Sequence, residues 1–475
     1  MPKTLRPTSL WLGILGLSSL SLGLRFWGLG RFNQLIFDEI YYIPFALGYL
    51  NRSPVFDAHP PLGKYLIALG LWLSQGPATQ GQWPTVVVAG QSVSLLSGRW
   101  LNALVGSTLP ALVAALAYGL SQGQPRPRRV RFSLMAATLM TLEGLTLVES
   151  RLALINLYWL WFGVLGQVCW VWARGSLGRL ATGISLGAAI NGKWNGAAFG
   201  LGLLLRRWRR QGCDQPISWR RELLYVGILP TLTYGLLWLP HLAMTGESLW
   251  KLHQQLWGAH QTIGAQAIPH PYCSPWFTWP LMLRPVAYFY QAYPPEQVVT
   301  IQAMGNPMLW WWSTAAIFAL GVKVCRSPGA WWGRSQPMIS PVTSDSPAPR
   351  AISAPGNSSA PSTAADGGGP SSSSASALTV EAFLVVNYLT QWLPWLLVSR
   401  CTFLYHALGM VVFSALALAW LLSGWLGHRR RSHRAMAWLL LSLVALGFLF
   451  WLPLFLGWPL SPRDLHRRWW IPSWI

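Results

Sequence analysis

Acidic side chains are scarce in this chain: 13 Asp and Glu stand against 35 Lys and Arg in 475 residues. Charged residues of both signs reach only 10%, where a water-soluble domain carries about 25%. That shortage excludes a string of soluble domains. Cysteine is sparse as well. Cys169, Cys213, Cys273, Cys325 and Cys401 are scattered without CxxC spacing, which indicates neither a disulfide framework nor a zinc site. No period of 20–50 residues recurs, so a solenoid is excluded. What remains is apolar: 52% hydrophobic residues, with several runs near or above the roughly 20 residues a helix needs to cross a bilayer. The fold class that follows is an all-α polytopic membrane protein.

The net charge of +22 does not point to nucleic acid. The basic residues fall in short runs between apolar segments: RPRRVR (126–131), RRWRR (206–210), WRRE (219–222) and HRRRSHR (428–434). Cytoplasmic loops have this distribution, beside anionic lipid headgroups. The N-terminal apolar stretch is long and lacks a clear cleavage site. It reads as an uncleaved first span, with Lys3 and Arg6 holding the N-terminus inside.

Threading by this rule takes 9–29 outward, 95–119 inward, 132–149 outward and 152–173 inward. Residues 180–205 are apolar but interrupted by NGKWN (191–195) and flanked by Arg at both ends. One span would put RRWRR outside, and two full spans need about 40 residues. A re-entrant pair of short helices satisfies both constraints, because broken backbone survives at membrane depth only inside protein or beside a water-filled cavity. Segments 222–243, 307–324, 380–399, 403–427 and 435–457 complete eleven, with the C-terminus outside. External loops cover 30–94 and 244–306. The catalytic membrane domain is thus expected over 1–326, and the last spans of the same domain over 379–475. Between them, 327–378 is rich in Ser, Pro, Ala and Gly and reads as a disordered cytoplasmic linker.

Three of the few acids cluster after the first span, in FDEIYYIPFALGYLNRSPVFDAHPPLGK (37–64). Asp38 and Glu39 adjoin an amphipathic aromatic stretch, and partial desolvation there raises a carboxylate's proton affinity and suits it to general-base work. In DAHPPLGK two prolines exclude a helix, so Asp57, His59 and Lys64 project from a rigid turn. One acid with two cations is a cradle for a phosphate, and admits a divalent metal; no other cofactor is implied. Pro-Pro also suits the start of the following helix. Glu149 and Arg151 end the third span on the same face, where membrane-edge ionisable residues are functional candidates. A guanidinium can grip a phosphate bidentately, and Glu149 supports it. Lys193 lies at the tip of the broken segment, a further cation for an anionic group. Together these residues suit group transfer from a lipid-linked phosphate donor to a polar acceptor arriving from outside.

FDE (37–39), DAHPPLGK (57–64), ESR (149–151) and GKWNG (192–196), followed in order by GNPMLWW (305–311), NYLTQWLPW (387–395) and RCTFLYH (400–406), resemble the protein O-mannosyltransferase family over nearly the whole chain. The resemblance implies a GT-C glycosyltransferase fold of eleven segments, a polyprenyl-phosphate-mannose donor, Ser or Thr hydroxyls of secreted or membrane proteins as acceptors, and inversion at the sugar. It makes Asp38 or Glu39 the general base and Arg151 the phosphate ligand. His59, Lys64 and Lys193 would assist at the phosphate, and Asp57 would orient His59. No stretch fits the β-trefoil module of eukaryotic members, which implies the bacterial type in the plasma membrane. Where the family often has an acid after the conserved Arg, this chain has Asn156. A related enzyme modifying a lipid or glycan, such as an aminoarabinose transferase, shares the external acids and donor class. A transporter of anionic lipid suits the broken helix but predicts paired repeat halves, which are not seen.

Overall fold

The structure is a computed structural model that describes residues 7–53, 55–74, 84–208, 219–262, 270–326 and 372–474. In hydrocarbon every backbone N–H and C=O must be satisfied within the segment, so long apolar runs become helices. The first half contains α1 (Pro7–Phe26), α2 (Glu39–Leu50), α3 (Leu62–Leu73), α4 (Leu95–Leu120), α5 (Arg126–Thr141), α6 (Gly144–Ser150), α7 (Asn156–Trp172), α8 (Ser176–Gly192) and α9 (Ala197–Trp208). The second contains an irregular span α10 (Trp219–Thr245), then α11 (Leu249–Thr262), α12 (Pro307–Arg326), α13 (Ser372–Trp392), α14 (Leu408–Leu426) and α15 (Arg431–Leu456).

Among the described residues six helices can cross a membrane by length and composition, or seven if bent α5–α6 counts as one span. The other four segments of the eleven-segment reading correspond to α7, α8, α9 and α13, which do not pass that test. The span expected over 132–149 is broken by 60° between α5 and α6. Its cause is Glu143, whose carboxylate accepts from the N–H groups of Leu145 and Thr146 at 3.0 and 2.6 Å and so starts a new helix. The NGKWN break is present: α8 ends at Gly192, Lys193 is extended, and a single turn (Trp194–Gly196) leads into α9. The first arm is longer than a half-helix, however, at 17 residues.

Every residue of α14 from Leu408 to Trp420 is buried, which places this helix at the centre of the bundle, against α5, α12 and α13. By contrast α1 leaves Trp11, Leu12, Leu15 and Leu20 exposed, as an apolar helix does when lipid completes its surroundings. Two small antiparallel hairpins decorate the helical fold. One pairs Val86–Val88 (β1) with Gln91–Val93 (β2), and the other Val286–Tyr293 (β3) with Gln297–Ala303 (β4). The chain end packs beside the second, Val298 and Leu460 exchanging backbone bonds at 2.8 and 2.9 Å. The linker expected over 327–378 lies outside the described residues up to 371, and α13 begins at Ser372.

Scattered cysteines suggested no disulfide, and the structure corrects this: Cys273 and Cys401 are bonded across 128 residues of sequence. The bond joins the two segments expected outside, and Ser274 and Thr402 reinforce it with two hydrogen bonds of 2.8 and 2.7 Å. Cys169 and Cys325 are free; Cys213 lies outside the described residues.

Candidate active site

The site begins at the turn between α1 and α2. Phe37 takes a left-handed backbone conformation (φ 53°), a strained choice for a bulky residue. Packing holds it there: its ring stacks on Tyr288 of β3 at 3.8 Å and meets Tyr405 edge-on at 5.9 Å. The two acids that follow have different surroundings. Glu39 is fully buried and receives four donors. These are Arg99 Nε and Nη2 at 2.8 and 2.6 Å, and the N–H groups of Ile36 and Ala153 at 3.0 and 2.8 Å. A carboxylate held in this way has no lone pair directed at a substrate, so the structure makes Glu39 a fastener that ties the 32–39 loop to α4. Arg99 completes the clip by donating to the carbonyls of Phe32 and Gln34.

The Asp38 carboxylate makes no hydrogen bond within the described residues, while its backbone carbonyl accepts from the N–H groups of Tyr41 and Tyr42 at 3.0 Å each. Burial raises its carboxyl from 3.8 to about 6; Lys193 opposes the shift and Asp57 adds to it. A half-buried carboxylate without protein partners is free to take a proton from a ligand. Of the adjacent pair, Asp38 is the one the geometry leaves available.

The 57–64 turn closes on itself. Lys64 Nζ lies 2.6 Å from Asp57 Oδ2 and donates to the carbonyl of His59, also at 2.6 Å. Asp57 thus pairs with Lys64, with no hydrogen bond to the His59 ring among the described residues, and Lys64 ties the turn together. The turn presents His59, whose ring meets that of His260 on α11 at 5.4 Å. Burial, then Lys193 and His260, push the His59 imidazolium well below its usual range. It faces a ligand as a neutral hydrogen-bonding group.

One of the Arg151 nitrogens donates to the carbonyls of Leu24, Arg25 and Trp27 at 2.9, 2.9 and 2.8 Å. These are orphan acceptors at the negative end of α1. A cavity of about 10 Å³ lies beside Arg151. The geometry of Arg151 is that of a clamp on α1. Glu149 is buried, accepting from the Tyr288 hydroxyl at 2.5 Å and from Asn156 Nδ2 at 3.1 Å.

Lys193, at the helix break, does reach a ligand-sized space. A cavity of about 830 Å³ is lined by Lys193, Arg400, His59, His260 and His406, and by apolar groups including Ala197, Ala198, Leu201, Trp257, Pro394, Trp395, Leu397 and Val398. No Asp or Glu is among its described lining residues. Apolar walls with cations and imidazoles, and no acid to repel an anion, suit a lipid carrying a phosphate. Arg400 was not singled out from the sequence, although RCTFLYH contains it. The usable signal was a lone arginine between two apolar segments, in a turn expected on the external side. As for a divalent metal, no group of three or more His, Cys, Asp or Glu side chains gathers into a binding site among the described residues.

Family comparison accounts for almost the whole chain. Residues 16–246 match the family described as dolichyl-phosphate-mannose-protein mannosyltransferase. Residues 246–338 and 366–474 match the C-terminal four-transmembrane region of protein O-mannosyltransferase. The chain belongs to the protein O-mannosyltransferase family. It is a membrane mannosyltransferase with a GT-C fold. A polyprenol-phosphate-mannose–protein mannosyltransferase of Mycolicibacterium smegmatis is 23% identical, over 92% of this chain and 87% of that protein. One from Mycobacterium tuberculosis is 22% identical, over 95% and 89%. In three dimensions the chain resembles the S. cerevisiae protein O-mannosyltransferase complex solved with its sugar donor (TM-score 0.78, 15% identity, 99% and 93% of the two chains).

Proposed function

We propose that this protein moves mannose from polyprenyl-phosphate-mannose to Ser or Thr hydroxyls of proteins at the external membrane face, with inversion, and that Asp38 is its base. The observation carrying this reading is the pairing of an unpartnered, proton-retaining carboxylate with Lys193, whose charge it feels and which lines the acid-free cavity. The lipid tail occupies the apolar wall, and Lys193 and Arg400 meet the phosphate. As the acceptor oxygen attacks the sugar C1, Asp38 Oδ takes its proton. The C1–O bond to phosphate breaks in the same displacement, which inverts the centre. Charge growing on the departing phosphate is stabilised by the two cations, and a phosphate leaves without a general acid. His59 supplies a neutral hydrogen bond, the Asp57–Lys64 strut fixes its turn, and Glu39–Arg99 fixes the turn that carries Asp38.

The external placement is supported by the disulfide, since such bonds persist in oxidising compartments, and the plasma membrane of a bacterium is the setting we favour. The deciding experiment supplies radiolabelled polyprenyl-phosphate-mannose to membranes containing this protein and asks which molecule becomes labelled. Label in protein, removable by β-elimination and absent with Asp38→Asn, is the expected result. Label in a lipid or glycan would overturn the acceptor assignment. Full activity of Asp38→Asn would overturn the base.

A further inference from the structure

Behind Lys193, buried polar groups run toward β3 in a chain whose members beyond the lysine take no direct part in the transfer step. Lys193 Nζ donates to Asn156 Oδ1 at 2.8 Å, and Asn156 Nδ2 donates to Glu149 Oε2 at 3.1 Å. The Tyr288 hydroxyl donates to Glu149 Oε1 at 2.5 Å. Tyr288 then stacks on Phe37, the residue before Asp38. The four polar members are all buried and come from four places: the α8–α9 break, the start of α7, the end of α6, and β3.

We infer that Glu149 and Asn156 are positioning residues, holding Lys193 through a neutral amide so that its charge stays available to the donor phosphate. This rests on the cavity being the donor site. A lysine ammonium has three donors, and Asn156 takes the only hydrogen bond that the Lys193 ammonium makes within the described residues. Were Glu149 to touch Lys193 directly, the two charges would cancel in a low-dielectric interior, where a contact pair is strong. Asn156 prevents that contact while the carboxylate fixes which way its amide faces. The same carboxylate holds Tyr288, so one side chain sets the lysine at the phosphate and the aromatic floor under the base.

The test compares Glu149→Leu with Glu149→Gln. Both remove the negative charge, but only Gln keeps an acceptor for Asn156. The readout is affinity of the purified full-length protein for a short-chain polyprenyl phosphate, measured by calorimetry. The expected result is binding weakened about tenfold or more in Glu149→Leu, the loss of one charge-assisted hydrogen bond, and within about threefold of wild type in Glu149→Gln. Donor KM should follow the same order. If Glu149 is only a counter-charge, both variants bind the anion equally well or more tightly than wild type, and the inference is overturned. Should Glu149→Leu fail to fold, Asn156→Ala carries the test, with the same loss expected and unchanged affinity overturning the inference. Wild-type protein that does not bind polyprenyl phosphate overturns the donor-site reading itself, a result distinct from equal binding by the variants.

Discussion

At the scale of single residues, the adjacent acids Asp38 and Glu39 show how position in sequence and task in structure separate. As the proposed base, Asp38 can act only when ionised, and burial raises its carboxyl to about 6. Transfer should therefore fall as pH drops through about 6 and level off above it, which a pH–rate profile of kcat/KM checks. The same shift sets the sign for stability. The folded protein holds this proton more tightly than the unfolded chain, so ionising Asp38 opposes folding increasingly as pH rises from 3.8 to about 6. Asp38→Asn should lower turnover about 10²- to 10⁴-fold, yet melt no lower than wild type at neutral pH. Glu39→Gln should do the reverse in stability. It leaves Arg99 charged and buried without its counter-ion, a loss of about 3–5 kcal/mol, visible as a lowered Tm. The sequence marked both acids because carboxylates are so rare here, but it did not separate their roles. Glu39's partner lies 60 residues away, and no local pattern announces it. The carbonyls that hold Arg151 were hidden for a similar reason: they lie more than 120 residues upstream. Lys193 was legible because a lysine inside an apolar run is costly wherever it ends up.

At the scale of elements, what could be read was whatever charge and hydropathy decide locally. Basic runs and apolar lengths located the helices, and the NGKWN interruption located the break. The bend between α5 and α6 was not legible, since Glu143 is one capping acid in an otherwise apolar run. The hairpins were missed because β3 and β4 lie in a loop read only for its length. The break makes its own prediction. A Cβ on Gly196 would stand 2.4 Å from the backbone carbon and oxygen of Ala189, the residue that receives Lys193's N–H. Backbone cannot give way as a side-chain tip can, so Gly196→Ala must pry the turn from α8. Overpacking of this kind costs about 1–3 kcal/mol. The expected outcome is a lower Tm together with a raised donor KM, because Lys193 moves with the turn. A raised melting temperature, or a donor KM equal to wild type, would show that the break tolerates being opened.

For the whole molecule, the Cys273–Cys401 bond is the feature that composition concealed most completely. Two cysteines 128 residues apart carry no spacing signal, and only the fold brings the loop after α11 to the segment before α14. Arg400, a cation lining the cavity, immediately precedes one of them, so the bond anchors a wall of that cavity. Its loss in a Cys273→Ser variant should cost about 2–5 kcal/mol and weaken donor binding through movement of Arg400. The bond also makes the topology testable in one experiment. If this layer faces outward, a membrane-impermeant maleimide applied to intact cells should label neither Cys273 nor Cys401 until an impermeant reductant is added. Cys325 is exposed and free beside the basic end of α12, the end that the charge rule places in the cytoplasm. It should stay unlabelled until the membrane is permeabilised. Labelling of Cys325 in intact cells, or reduction-dependent labelling of the pair only after permeabilisation, would invert the molecule and turn Asp38 to the cytoplasm, where no secreted acceptor could reach it.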